Sequence, residues 1–246
     1  MSSKRQNIRK GILVVSFILF PLMLFWFSPY TAILSSMEGV IGSSIVMFSF
    51  LFIISLFSGR IFACGYSCPI GGMQQCITIA NNKKVKGGKL NNIKYFFWVP
   101  WIITIIVFFV LAGGIKEFIF FFGNENGFNF YPDTLHANII YYSFVLGVAI
   151  ISFIFGRRAF CHYLCFFSPF MIIGTKIADF LKIPRLQLKS EKEKCIGCNK
   201  CSEKCPMSLD VENMVIIEKM YDSECSLCGE CVDICPNNAI SYSFGR

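Results

Sequence analysis

The end of the chain carries one cysteine pattern twice. Cys195, Cys198, Cys201 and Cys205 run into Pro206, and Cys225, Cys228, Cys231 and Cys235 run into Pro236. Each run is C-x2-C-x2-C-x3-C-P. Eight thiols in so short a stretch constrain the fold more than any hydrophobic pattern does, because the chain must wrap around whatever the sulfurs hold. A zinc site or a disulfide knot gives no reason for two identical runs, each closed by proline. A [4Fe–4S] cube does. The x2 spacings let three thiolates wrap one cube, and the fourth cysteine of each run reaches the other cube. The expected sets are Cys195, Cys198, Cys201 and Cys235 for one cluster, and Cys225, Cys228, Cys231 and Cys205 for the second.

Ahead of this tail the composition changes. Hydrophobic residues make up 54% of the chain and charged residues 15%, far from a soluble average. Apolar runs near 11–30, 40–58, 95–113 and 138–156 have the roughly 20-residue length that crosses a bilayer. Pro100 falls inside the third, where a membrane helix tolerates a kink. The first run follows Lys4, Arg5, Arg9 and Lys10 and reads as an uncleaved helix with a basic flank, since no small-residue cleavage site follows.

The connections alternate in charge. Ser28 to Gly39 has no Lys or Arg, Gly59 to Lys94 has six, and Gly114 to Ala137 has only Lys116. Arg157, Arg158, Lys176, Lys182 and Arg185 follow the fourth run. Positive-inside topology then puts the N-terminus, the middle loop and the tail on the cytoplasmic side of the inner membrane. Oxygen-sensitive clusters point to the same reducing compartment. Residues 1–189 carry +12 and residues 190–246 carry −4, so the tail is expected to dock on the basic loops, Lys83, Lys84, Lys86 and Lys89 above all. The basic residues flank apolar spans, so no nucleic-acid partner is expected. The aromatic stretch Glu117–Tyr131 reads as an interfacial belt, with a quinone or partner surface as the sharper alternative.

A repeat lies at the inner face. Gly59, Arg60, Cys64, Tyr66 and Cys68 recur as Gly156, Arg157, Cys161, Tyr163 and Cys165, all offset by 97 residues, as are Thr78 and Thr175. Such duplication implies a pseudo-twofold axis along the bilayer normal, with function at the repeat interface. C-x3-C on one helix puts both thiols on one face. Two pairs facing each other supply four soft ligands for a third metal or Fe–S centre. A redox-active thiol pair and plain packing are the alternatives. Arg60 and Arg157 read as snorkelling residues, or as neutralising a cluster or binding an acidic partner. Tyr66 and Tyr163 read as belt residues or hydrogen-bond donors, His162 as ordinary packing, and Cys76 as structural. The segments Pro69–Ala80 and Phe166–Ile183 are expected flat at the interface or re-entrant. No catalytic residue is assigned. Asp133 and His136 read as solvated loop residues, with quinol proton uptake as the alternative.

Cysteine pairs of this kind, with Pro69 after Cys68 and the eight-cysteine tail beyond, resemble the NapH-type membrane iron–sulfur proteins and the related NosR-type and CcoG/FixG groups. Cys165 departs from the pattern, with Pro169 four residues on. The expected architecture is an all-α membrane domain of four transmembrane helices with a twofold internal repeat (1–183), a linker (184–194) and a small α+β two-[4Fe–4S] bacterial ferredoxin domain (195–246). The resemblance implies electron transfer, as carrier or oxidoreductase subunit, between a membrane donor or acceptor, commonly the quinone pool, and a partner oxidoreductase. Metal handling in the assembly of another redox enzyme, copper or iron reduction included, and a non-catalytic anchor for a reductase are the alternatives.

Overall fold

The computed structural model describes residues 3–21, 28–118 and 135–245. Phe120 to Tyr131 and Asp133 of the outer connection lie outside them, as does the side chain of His136. So does the middle of the first expected span.

Helix α1 (Lys4–Ile18) starts at Ser3, whose hydroxyl caps the amide of Gln6. After the undescribed residues, α2 (Pro29–Glu38) begins with Ser28 capping Thr31 and Pro29 at its first position, a stable start because the proline gives up an amide with no partner there. It ends at Gly39 with φ 76°. Strands β1 (Val40–Ile41) and β2 (Glu117–Phe118) pair in parallel. Lys116 donates its amide to the Gly39 carbonyl. The two connections expected on the outer side thus meet each other.

The repeat is visible as matched elements. In the first copy, α3 (Ser43–Ser58) leads through a π-helical turn (Ile61–Ser67) to α4 (Pro69–Ala80). In the second, α6 (Leu135–Phe155) leads through the short α7 (Ala159–Tyr163) to α8 (Phe167–Phe180). Helix α5 (Ile93–Leu111) lies between the copies. The long helix of each copy packs on the short helix of the other, α3 on α8 and α6 on α4, the exchange a pseudo-twofold produces. Glycines permit the close crossings. A Cβ on Gly72 of α4 would overlap the Leu13 carbonyl of α1, and one on Gly174 of α8 would overlap the Ser55 hydroxyl of α3. The core between the copies is aromatic: Phe48 stacks on Phe167 at 4.7 Å, and Trp101 of α5 lies 5.1 Å from Phe48.

Among the described residues one helix, Gly88–Leu111, is long and apolar enough by itself to cross a membrane. Ser43–Ser58 passes only together with its π turn, at a bend of 104°.

The tail is larger than expected. Residues 184–194 were expected to be a linker, yet Arg185–Ser190 forms strand β3, antiparallel to β4 (Ile240–Gly245), with Arg185 opposite Gly245 and Ser190 opposite Ile240. Short helices α9 (Lys200–Lys204), α10 (Val211–Ile216) and α11 (Glu230–Ile234) complete it.

Ion pairs bind the tail to the rest. Arg5 pairs with Asp233 at 2.9 Å, Arg9 with Glu230 at 3.0 Å, and Lys10 with Glu230 at 3.5 Å. Burial alone raises the Asp233 pKa, but hydrogen bonds from Gln6 and Arg5 outweigh it and hold the carboxyl below its usual range. The expected dock was Lys83 to Lys89. These lysines are exposed. Their loop meets the tail and the second repeat through its backbone instead, Val85 N–H donating to Ser208 Oγ and Lys83 O accepting from Arg157 N. Of the charges that grip the tail, Arg9 is fully buried at the contact, where water competes least, while Arg5 and Lys10 are half-buried.

Candidate iron–sulfur sites

The two tail motifs share one backbone. Gly197 and Leu227, two residues after each first cysteine, have φ of 67° and 52°. Asn199 and Gly229 have 55° and 74°, and Ser208 and Asn238 have 55° and 51°. Successive left-handed residues turn backbone amides inward, a concavity that suits anions and iron–sulfur centres. Leu227 adopts this geometry with a full side chain, at a cost of about 1–2 kcal/mol. Cys205 and Cys235 stand just before proline, which disfavours helix for them, and both are extended, at ψ 116°. The Ala239 amide donates to Cys235 Sγ at 3.2 Å.

The cysteines of the two runs come together in two cavities. Cys195, Cys198, Cys201 and Cys235 line one cavity, and Cys205, Cys225, Cys228 and Cys231 line another. Each cavity combines three cysteines of one run with the last of the other. Among the described residues no three His, Cys, Asp or Glu side chains converge closely enough for a single metal ion.

The two sets differ in depth. Cys205, Cys228 and Cys231 are buried, whereas Cys198 is exposed and Cys195, Cys201 and Cys235 are half-buried. The set of Cys205, Cys225, Cys228 and Cys231, the inner tail set, faces the repeats, and Cys161 packs in one apolar cluster with Cys205, Cys231 and Leu227.

The repeat cysteines also meet. Cys64, Cys68, Cys161 and Cys165 line a single cavity of about 200 Å3. Their local setting differs from the helix face that the spacing suggests. Cys64 sits in the π turn, while Cys68 is extended (φ −72°, ψ 116°) and caps α4, its Sγ accepting from the Gly71 amide at 3.3 Å. Pro69 forces this break. Cys68 thereby has the backbone of Cys205 and Cys235. Cys161 lies on α7, and Cys165 follows the end of that helix. Pro169 falls in the first turn of α8, where it is tolerated, so the second copy breaks its helix without the adjacent proline.

Cations surround this cavity. Arg60, two percent exposed, points its guanidinium at Cys64 Sγ (3.7 Å) and Ser168 Oγ (3.0 Å) and donates to the Ser223 carbonyl at 2.6 Å. Glu224 pairs with Lys94 of α5 at 2.5 Å and with Arg60 at 3.6 Å. Lys94 also reaches Ser168 Oγ, at 3.3 Å. Arg158 donates to the Cys64 carbonyl at 2.9 Å, while its Nε and Nη2 are buried without a hydrogen-bond partner. Gln74 Nε2 lies 3.1 Å from Cys161 Sγ. Arg157, the repeat mate of Arg60, donates to the Glu203 carbonyl at 2.7 Å. The twin arginines therefore grip carbonyls two residues before Cys225 and two before Cys205, both in the inner tail set. Snorkelling, the expectation for them, does not occur.

The remaining candidates are structural. His162 bridges Asn91 Oδ1 and the Met207 carbonyl, each at 3.1 Å, and burial pushes its pKa down to about 4. Tyr163 donates to the Lys86 carbonyl. Neither it nor Tyr66 lines the four-cysteine cavity. Cys76, expected to be packed, is exposed. Sequence reading missed Lys94, Arg158, Gln74 and Glu224. The isolation of Lys94 at the mouth of an apolar run was the one visible signal.

Comparison with known proteins agrees with both halves. Residues 187–236 match a family model described as a 4Fe-4S dicluster domain. Residues 40–86 and 137–182 each match one described as a 4Fe-4S binding domain, and the two matches start 97 residues apart, as the repeat does. An uncharacterized protein of Methanocaldococcus jannaschii is 28% identical over 78% of this chain and 67% of its own length. YccM of Escherichia coli, provisionally named an electron transport protein, is 22% identical over 84% of this chain, which spans 57% of it. A component of an ion-translocating oxidoreductase complex from Methanosarcina acetivorans is 39% identical over 19% of this chain and 17% of its own. No solved structure matches. The chain thus carries a 4Fe-4S dicluster tail behind a twice-repeated 4Fe-4S binding segment.

Proposed function

We propose that this chain is a membrane-bound iron–sulfur electron-transfer protein. It relays electrons between a membrane donor or acceptor, the quinone pool by its resemblance to the NapH type, and a cytoplasmic partner oxidoreductase. One observation carries the reading: twelve of the thirteen cysteines divide into three sets of four, and each set lines one cavity. The names of YccM and of the oxidoreductase component point the same way.

Cys195, Cys198, Cys201 and Cys235 hold the outer tail cluster. Cys225, Cys228, Cys231 and Cys205 hold the inner one. Cys64, Cys68, Cys161 and Cys165 hold a third iron–sulfur centre. Such clusters supply reversible one-electron storage when bound. The residues around the third site favour an anionic occupant. Arg60, Lys94 and Arg158 against Glu224 leave two unmatched positive charges in a buried place, where unpaired charge is costly. Four thiolates around a dicationic iron–sulfur core carry the matching −2. A disulfide or neutral thiols leave the cations unmatched.

Membrane placement rests on four apolar runs and on which ends meet. The N-terminal flank and the Lys83 loop, both assigned inside by charge as the tail is, each touch the tail. The two outer connections pair at β1 and β2. The order of sites follows from depth: the inner tail set abuts the repeats, and the outer set, with Cys198 exposed, faces a soluble partner.

Anaerobic quantitation of iron and acid-labile sulfide tests the reading. About ten to twelve irons per chain are expected, falling to about eight in Cys64→Ser/Cys161→Ser. About eight in both, or copper at the four repeat cysteines, overturns it.

A further inference from the structure

Arg60 links the repeat thiol site to the Cys225 arm of the tail. Its Nη2 lies 3.7 Å from Cys64 Sγ, and its Nη1 donates at 2.6 Å to the Ser223 carbonyl, two residues before Cys225. The same Nη1 lies 3.6 Å from Glu224, which adjoins Cys225. Ser168 and Lys94 fix the arrangement; Arg60, Cys64, Lys94, Ser168 and Glu224 are buried and Ser223 is half-buried.

We propose that Arg60 is a positioning residue that sets the reduction potential of the centre held by Cys64, Cys68, Cys161 and Cys165, with Glu224 as its counterweight. This rests on the reading that those four cysteines hold an iron–sulfur centre. Cluster potentials follow net charge and hydrogen bonds to sulfur. A guanidinium aimed at Cys64 Sγ favours the reduced, more negative state. Glu224 opposes that by pairing with Arg60 and Lys94 and by adding a negative charge of its own. The repeat mate, Arg157, reaches the tail without such a double contact: it donates to Glu203, and its Nε is buried without a partner. The potential control is therefore asymmetric between the two copies. The same contact gives Arg60 a hold on the Cys225 arm, so the inner tail set and the repeat site share one electrostatic setting.

The test is redox-poised EPR of the full chain, purified anaerobically in detergent, as wild type, Arg60→Gln, Arg60→Lys and Glu224→Gln. Arg60→Gln is expected to lower the midpoint of the third centre, so that the reduced-to-oxidised ratio at a fixed potential falls about tenfold, equivalent to about 59 mV for one electron. Arg60→Lys restores most of that ratio. Glu224→Gln shifts it the opposite way, a sign that loosened packing alone does not produce. A third-centre midpoint unmoved in folded Arg60→Gln overturns the proposal. If Arg60→Gln does not fold, Arg60→Lys and Glu224→Gln decide, and equal shifts in one direction overturn it. A wild type with about eight irons and no third signal overturns the underlying reading as well, whereas a third signal with an unmoved midpoint overturns this inference alone.

Discussion

The tail sites and the repeat site use the same ligand in opposite ways. Each tail set is built from two short runs whose turns are dictated locally, by x2 spacings, left-handed residues and a Cys-Pro step. The repeat site takes two cysteines from each of two segments 97 residues apart. Its shape depends on α3 packing on α8, on α6 packing on α4, and on buried cations around the sulfurs. A site assembled locally is bound up with the fold of its own domain. A site assembled by packing is separable from it, and its surroundings can be tuned.

The largest effects break the comparison at the ligands. Cys205→Ser should remove about four irons and leave residues 185–245 open to protease, because that thiol joins the two runs. Cys161→Ser should abolish only the third signal, with the tail still resistant. Equal protease sensitivity in the two variants contradicts the distinction. Next comes the grip on the tail. Arg9→Ala removes a fully buried partner of Glu230 and should cost about 3 kcal/mol, read as faster amide exchange across 185–245. Exchange confined to α1 would mean that the tail holds itself in place. Gly72→Ala drives a methyl into the Leu13 carbonyl. It should destabilise the N-terminal helical half by about 1–3 kcal/mol, visible as a lower Tm with the tail spectra intact. Smallest is neutralisation of Lys83, Lys84, Lys86 and Lys89. These exposed lysines form none of the ion pairs seen among the described residues. Stability should stay within about 0.5 kcal/mol, and a loosened tail would restore them as the dock.

The same difference explains what could be read from sequence. The two cysteine runs and the repeated motif were legible because each is written in short-range spacing, and matching the motif's two copies gave the offset. Strand β3 was not: Arg185–Ser190 is short, carries Arg185 and Lys189, and makes sense as a strand only once β4 lies beside it 55 residues on. The break at Cys68 was hidden by treating C-x3-C as continuous helix, although Pro69 already argued against that. Lys94 and Glu224 lie 130 residues apart, and no periodicity joins two such charges. Arg60 and Arg157 were visible as twins. Their burial, and their shared aim at the inner tail set, came only with packing.

The proposal places a redox centre on the repeat cysteines, beside the inner tail cluster. The most direct measurement is the EPR spectrum of the fully reduced protein, wild type against Cys161→Ser. Magnetic coupling between the third centre and the inner tail cluster is expected, so that Cys161→Ser removes one signal and sharpens another. Identical spectra from the two proteins would contradict it.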